Sequence, residues 1–78
     1  MVKKLKILGT GCPQCELLAQ NAVAAAAELG IEYDLERISE YGDIQRHGVL
    51  LTPSLAVDGR VLVTGRVPEV RELVRLLN

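Results

Sequence analysis

Apolar and polar residues alternate at the start of the chain: Leu5 and Ile7 stand between Lys4, Lys6 and a closing Leu8. That two-residue period predicts a strand over Lys4 to Leu8, with Leu5 and Ile7 on one face and the lysines on the other. Gly9 and Gly11 punctuate the turn that follows. From Pro13 to Leu29 the period changes: Leu18, Ala22, Ala25 and Leu29 recur at helical spacing, and Gly30 is placed to cap the helix end. Alternation returns from Ile31 to Ile38, where Ile31, Tyr33 and Leu35 are separated by Glu32, Asp34 and Glu36. This second strand carries enough charge for a sheet edge. Ser39 is placed to cap a short helix that runs to about Arg46 and ends at Gly48. Ser54 to Val57 and Arg60 to Thr64 read as two strands joined by Asp58-Gly59, a two-residue hairpin turn. After Gly65, Pro68 opens a final helix whose stripe is Val70, Leu73, Val74 and Leu77.

The predicted order is β-α-β-α-β-β-α. A strand, a long helix and a strand form a parallel βαβ unit, and the hairpin adds two more strands. The expected architecture is a single α/β domain over residues 1–78, with a four-stranded mixed sheet flanked by helices.

Composition narrows the function classes. The 78 residues are 49% hydrophobic, enough for one modest packed core and too many for disorder. Aromatics are limited to Tyr33 and Tyr41, so the core is built from Leu, Ile, Val and Ala. Nine basic and ten acidic residues give a net charge of −1. No basic stripe is present, which argues against nucleic-acid and membrane partners. No run of apolar residues is long enough to span a bilayer, and Met1-Val2-Lys3-Lys4 leads straight into a strand pattern without a signal-peptide core. A cytoplasmic, monomeric protein is expected.

The chemistry concentrates in Cys12-Pro13-Gln14-Cys15, which holds both cysteines of the chain. Residues i and i+3 at a helix start share a face, and that spacing can satisfy disulfide geometry. Cys12 would sit at the helix N-terminus, where unpaired N–H groups and the helix dipole favour a thiolate. Its pKa should fall below the free value of about 8.5. Cys12 is therefore the expected nucleophile, and Cys15, one turn further in, the expected resolving cysteine. Pro13 suits the first helical turn. In a reducing compartment such a pair is catalytic or metal-binding rather than structural. A closed zinc site needs two further ligands, and the chain offers only His47 and carboxylates. No resident metal or cofactor is called for.

These features resemble the thioredoxin superfamily, and the resemblance covers nearly the whole chain. A C-x-x-C beside a βαβ pattern is such a signal, and Thr52-Pro53 precedes the third strand where the family carries a cis proline facing the cysteines. Gly11-Cys12-Pro13-Gln14-Cys15, Gly48-Val49 leading to Thr52-Pro53, Val57-Asp58-Gly59 and Gly65-Arg66-Val67-Pro68 are similar to small, glutaredoxin-sized redox-active disulfide proteins of bacteria and archaea. The resemblance implies thiol–disulfide exchange with a disulfide-containing protein, and re-reduction by a thioredoxin-reductase-like flavoprotein or another thiol donor. It implies a docking edge of Gly11, Pro13, Gln14, Thr52 and Pro53, with Gly11 permitting close approach of a partner chain.

There are departures from the family pattern. Gly11 stands where thioredoxin has Trp, and Pro-Gln replaces its Gly-Pro. The first strand has no Asp or Glu in place of thioredoxin's buried acid. Glu16 is close in sequence, but as a first-turn residue it is expected to be solvated. Gln14 replaces the Tyr of glutaredoxins, and Thr64-Gly65-Arg66 replaces the Gly-Gly and acid that grip glutathione. His47 is expected in a solvated or capping role, and Arg66 in a structural one.

The rival class is a metal-binding carrier of the copper-chaperone type, which also holds C-x-x-C between a first strand and a first helix and uses soft thiolates for Cu(I). Such carriers have a Met shortly before the first cysteine, where this chain has Thr10 and Gly11. They close on a strand where this pattern closes on a helix, and they lack the Thr-Pro pair. A redox-inactive interaction module on the same fold is a third class.

Overall fold

The computed structural model describes residues 2–11, 13–48 and 51–78, and of Tyr41 the backbone alone. Cys12 and Val49 of the sequence motifs lie outside the described residues. The elements are β1 (Lys3–Leu8), α1 (Pro13–Leu29), β2 (Tyr33–Ile38), α2 (Tyr41–Arg46), β3 (Ser54–Val57), β4 (Arg60–Thr64) and α3 (Val70–Leu77). The sheet order is β2-β1-β3-β4. β1 runs parallel to β2 and antiparallel to β3, and β3 is antiparallel to β4, so the sheet is mixed as expected.

The alternation in β1 sorts its side chains to two cores. Leu5 and Ile7 join Leu18, Ala19, Ala22 and Ala25 of α1, Leu55 and Val57 of β3, Val63 of β4, and Leu73 and Leu77 of α3. Leu8 faces the other way and meets Ile44 of α2 and Ala56 of β3. The protein is therefore three-layered, with α1 and α3 on one face and α2 on the other. The alanines of α1 allow that helix to approach the central strands closely, and Ala22, Ala25 and Ala26 are fully buried. The side chains of β2 are at most half-buried, which matches its position at the edge. Among the described residues no helix is long and apolar enough to cross a membrane.

Local chemistry sets the element ends. α1 closes with Ile31 N–H donating to Ala26 O at 3.2 Å and Gly30 N–H to Ala27 O at 3.1 Å, the paired bonds of a Schellman cap. Ile31 is spent on that cap, so β2 begins at Tyr33 rather than at Ile31. The Asp58-Gly59 turn has positive φ at both residues, 53° and 84°, as a type I′ hairpin requires. The Asp58 carboxylate also accepts from Lys4 N–H at 2.9 Å, tying the turn to the neighbouring strand.

Two helix starts also differ from expectation. The N-cap of α2 is Glu40, without a side-chain cap bond, and Ser39 lies one residue outside the helix. The final helix begins at Val70 with Glu69 at its N-cap. Pro68 is buried before it and gives its carbonyl to Asn21 Nδ2 of α1 at 3.1 Å. Docking on α1, rather than helix initiation, is what Pro68 does.

Arg66 forks onto Glu72 through two hydrogen bonds, at 3.0 and 2.5 Å, and closes the β4–α3 link. Hydrogen bonding to the guanidinium holds the Glu72 carboxyl below the usual carboxylate range. A carboxyl lowered by folding stabilises the native state above its unfolded pKa of about 4.3 and loses that contribution as pH falls through the folded value. Glu72→Gln should therefore lower the urea midpoint slightly at pH 7, because the pair is exposed, and the gap to the wild type should narrow below about pH 4. Urea melts of both proteins across that range test this; a gap that widens in acid would contradict it.

Candidate functional site

β1 delivers the chain to the site, and α1 carries it away. Gly9 follows β1, is buried, and donates its N–H to Ile38 O of β2 at 2.9 Å. α1 starts at Pro13, and Cys15 lies in its first turn, 5% exposed. Pro13 and Gln14 are exposed at the helix mouth. Cys12 lies outside the described residues.

Gly9 is the seat of Cys15. A Cβ built on Gly9 would stand 2.1 Å from Cys15 Sγ, 3.2 Å from Cys15 Cβ and 3.9 Å from Pro53 Cα. The sulfur therefore occupies the space that any other side chain at position 9 would take, and Pro53 closes the same space from β3. Sequence reading treated Gly9 as turn punctuation only. The signal available was a glycine one residue past a strand and six before a buried helix cysteine, but nothing in the letters distinguishes a turn glycine from a steric seat.

Gly11 plays a different part. Its φ is +84°, and among the described residues other than its chain neighbours no atom lies within 4 Å of where a Cβ would be. Here the backbone conformation asks for glycine, and the space around it is open. Both properties fit an exposed loop that another chain could approach.

The Thr52-Pro53 peptide bond is cis. Pro53 is buried and Thr52 exposed. Pro53 O accepts Gly65 N–H at 2.8 Å, and Ser54 Oγ donates to Leu51 O at 2.5 Å. Leu51 lies over Gly65, with Cδ1 3.1 Å from the point a Cβ would take there, while 60% of Leu51 stays exposed. The loop before β3 is thus held to the turn after β4, and Arg66 in that turn is held in its place by Glu72.

A pocket of about 150 Å³ opens beside Cys15, lined by Ile7, Gly9, Gly11, Glu16, Arg37 and Ser39 as well as the cysteine itself. Glu16 is exposed, as expected of a first-turn residue, and its carboxylate also accepts from Arg37 Nη2 of β2 at 2.9 Å, with about half of each side chain exposed. Ser39, misread as a helix cap, is part of this wall. His47 has Nδ1 2.8 Å from Asp43 O, a local α2 contact away from Cys15. Among the described residues no group of three or more His, Cys, Asp or Glu side chains could hold a metal ion.

A family model described as a thioredoxin domain matches residues 3–78. The chain belongs to the thioredoxin superfamily. A protein named thioredoxin from Methanothermobacter thermautotrophicus is 41% identical over 75 residues, covering 96% of this chain and 97% of that one. Another of the same name, from Methanocaldococcus jannaschii, is 33% identical over 69 residues, covering 88% of this chain and 79% of its own. The thioredoxin relationship supports thiol–disulfide oxidoreduction as the general class of chemistry, and disulfide substrates and reductases as the general class of partners.

Replacing Gly9 with Ala should displace Cys15 or distort β1, at an expected cost of about 1–3 kcal/mol. Gly42→Ala is the control. Gly42 lies in α2, and among the described residues beyond its chain neighbours and its own helix backbone no atom lies within 4 Å of a built Cβ, so alanine there should be neutral or stabilise by up to about 1 kcal/mol. Equal urea midpoints for the two variants would show that Gly9 is not a steric seat.

Proposed function

We propose that this protein is a thiol–disulfide oxidoreductase that exchanges a Cys12–Cys15 dithiol with the disulfides of other proteins. Cys15, seated against Gly9 beside Pro53, is the observation that carries this reading: a buried sulfur in the first turn of a helix, beside an exposed loop that leaves room for a second chain. Cys12 is the nucleophile. Its thiolate attacks a substrate disulfide, one substrate sulfur departs, and a mixed disulfide forms. Cys15 then attacks Cys12, the second substrate sulfur leaves, and the pair ends as a disulfide. Two electrons pass from the dithiol to the substrate.

Gly11, Pro13, Gln14, Thr52 and Pro53 form the docking edge for the substrate chain. Pro13, Gln14 and Thr52 are exposed around the buried sulfur, so a partner would reach the pair across them. Re-reduction falls to a flavoprotein of the thioredoxin-reductase type or to another thiol donor. The protein acts as a cytoplasmic monomer and needs no cofactor of its own.

Cysteine variants test the assignment with insulin as a disulfide probe. Cys15→Ser should accumulate a mixed disulfide that peptide mapping locates at Cys12. Cys12→Ser should leave insulin reduction at the dithiothreitol background. An adduct on Cys15 in the wild type, or undiminished turnover by Cys12→Ser, would refute the roles given to the two cysteines.

A further inference from the structure

The resolving step proposed above needs a base, because Cys15 is buried and must give up its proton before it attacks. We propose that Glu16, held by Arg37, receives that proton through the pocket beside Cys15. The inference rests on the exchange mechanism just given and adds a residue that mechanism does not name.

Three observations lead to Glu16. First, Cys15 is 5% exposed but lines a pocket of about 150 Å³ that also reaches Glu16. That volume is large enough for several water molecules. Second, among the described residues the charged lining of the pocket consists of Glu16 from α1 and Arg37 from β2; β1 and the loop after it contribute Ile7, Gly9 and Gly11, and the β2–α2 link contributes Ser39. Of these, the carboxylate is the one group able to take a proton at neutral pH, since a guanidinium is always protonated and a serine hydroxyl is not a base. Third, the buried polar side chains among the described residues comprise Ser54 alone, so none of them supplies a buried acid. The 2.9 Å contact with Arg37 Nη2 joins Glu16 of α1 to β2, with about half of each side chain exposed.

Atoms and electrons balance as follows. The Cys15 S–H proton passes through water to the Glu16 carboxylate. The Cys15 sulfur bonds to the Cys12 sulfur, and the bond from Cys12 to the substrate sulfur breaks. The electron pair leaves on the substrate sulfur, which takes up a proton from solvent, and Glu16 returns its own proton to solvent. Arg37 is a positioning residue in this scheme: it touches neither sulfur in the reaction and acts by holding Glu16.

The reaction with 5,5′-dithiobis(2-nitrobenzoate) separates the two steps. One equivalent of thionitrobenzoate is released when Cys12 attacks the reagent, and a second when Cys15 resolves the adduct. Stopped-flow traces should show Glu16→Gln slowing the second phase at least tenfold at pH 7, with the first phase changed less than twofold. The loss should shrink as pH rises, because hydroxide then competes with Glu16 for the proton. Arg37→Gln should slow the second phase by a smaller factor, and Glu16→Asp should recover part of the loss.

Freeing the Arg37 charge has the opposite sign, because an unpaired cation favours the thiolate. A faster second phase in Glu16→Gln would therefore overturn the proposal in favour of a purely electrostatic role. An unchanged second phase, or equal slowing of both phases, would overturn it as well. If the wild type released no second equivalent, the resolving role of Cys15 itself would fail, and that outcome is distinct from a failure of Glu16.

Discussion

Cys15 can press its sulfur against the end of β1 because Gly9 has no side chain to occupy that space. With the built Cβ position 2.1 Å from Sγ and 3.2 Å from Cys15 Cβ, a side chain at residue 9 would force the sulfur out of its place. The contact fixes where α1 begins relative to β1. It also brings the cysteine alongside Pro53 on the neighbouring strand. Elements far apart in sequence converge at this point, and the chemistry follows from the convergence.

The rest of the fold keeps that junction rigid. β1 and β3 are the inner strands of the sheet, buried between α1 and α3 on one side and α2 on the other. Behind the site, Pro53 O is bonded to Gly65 N–H, Gly65 lies under Leu51, and Arg66 is forked onto Glu72 at the start of α3. Pro68 docks on Asn21 of α1, so both ends of the β4–α3 link are tied to helices. The docking edge of the proposed exchange reaction is therefore backed by packed structure on the α1–α3 side, while its outer face, with Thr52, Pro13 and Gln14, remains open.

Where one local rule dominated, the sequence was readable. Strict alternation placed Leu5 and Ile7 in the main core, Asp-Gly marked the hairpin, and Gly30 marked the end of α1. The C-x-x-C spacing and the Thr-Pro pair carry the superfamily resemblance by themselves. Elsewhere, long-range partners overrode local signals. Ser39 has the chemistry of a cap, but α2 starts one residue later and Ser39 faces the pocket. Pro68 has the chemistry of a helix start, but its carbonyl is taken by α1. Glu16 pairs with Arg37, 21 residues away, because parallel pairing of β2 with β1 brings the end of β2 beside the start of α1. No spacing rule along the chain reveals such a pair. Gly9 was hidden for the same reason: its role depends on what packs against it.

The proposed exchange requires the two cysteines to form a working redox couple. The most direct measurement is a titration of the purified, metal-free protein in dithiothreitol buffers of graded potential, with free thiols counted by their mass shift after alkylation. The expected result is a monomeric protein in which one Cys12–Cys15 disulfide forms, with a midpoint between about −200 and −300 mV, the span from glutaredoxins to thioredoxin. Failure to form an intramolecular disulfide, or formation of intermolecular ones alone, would contradict it.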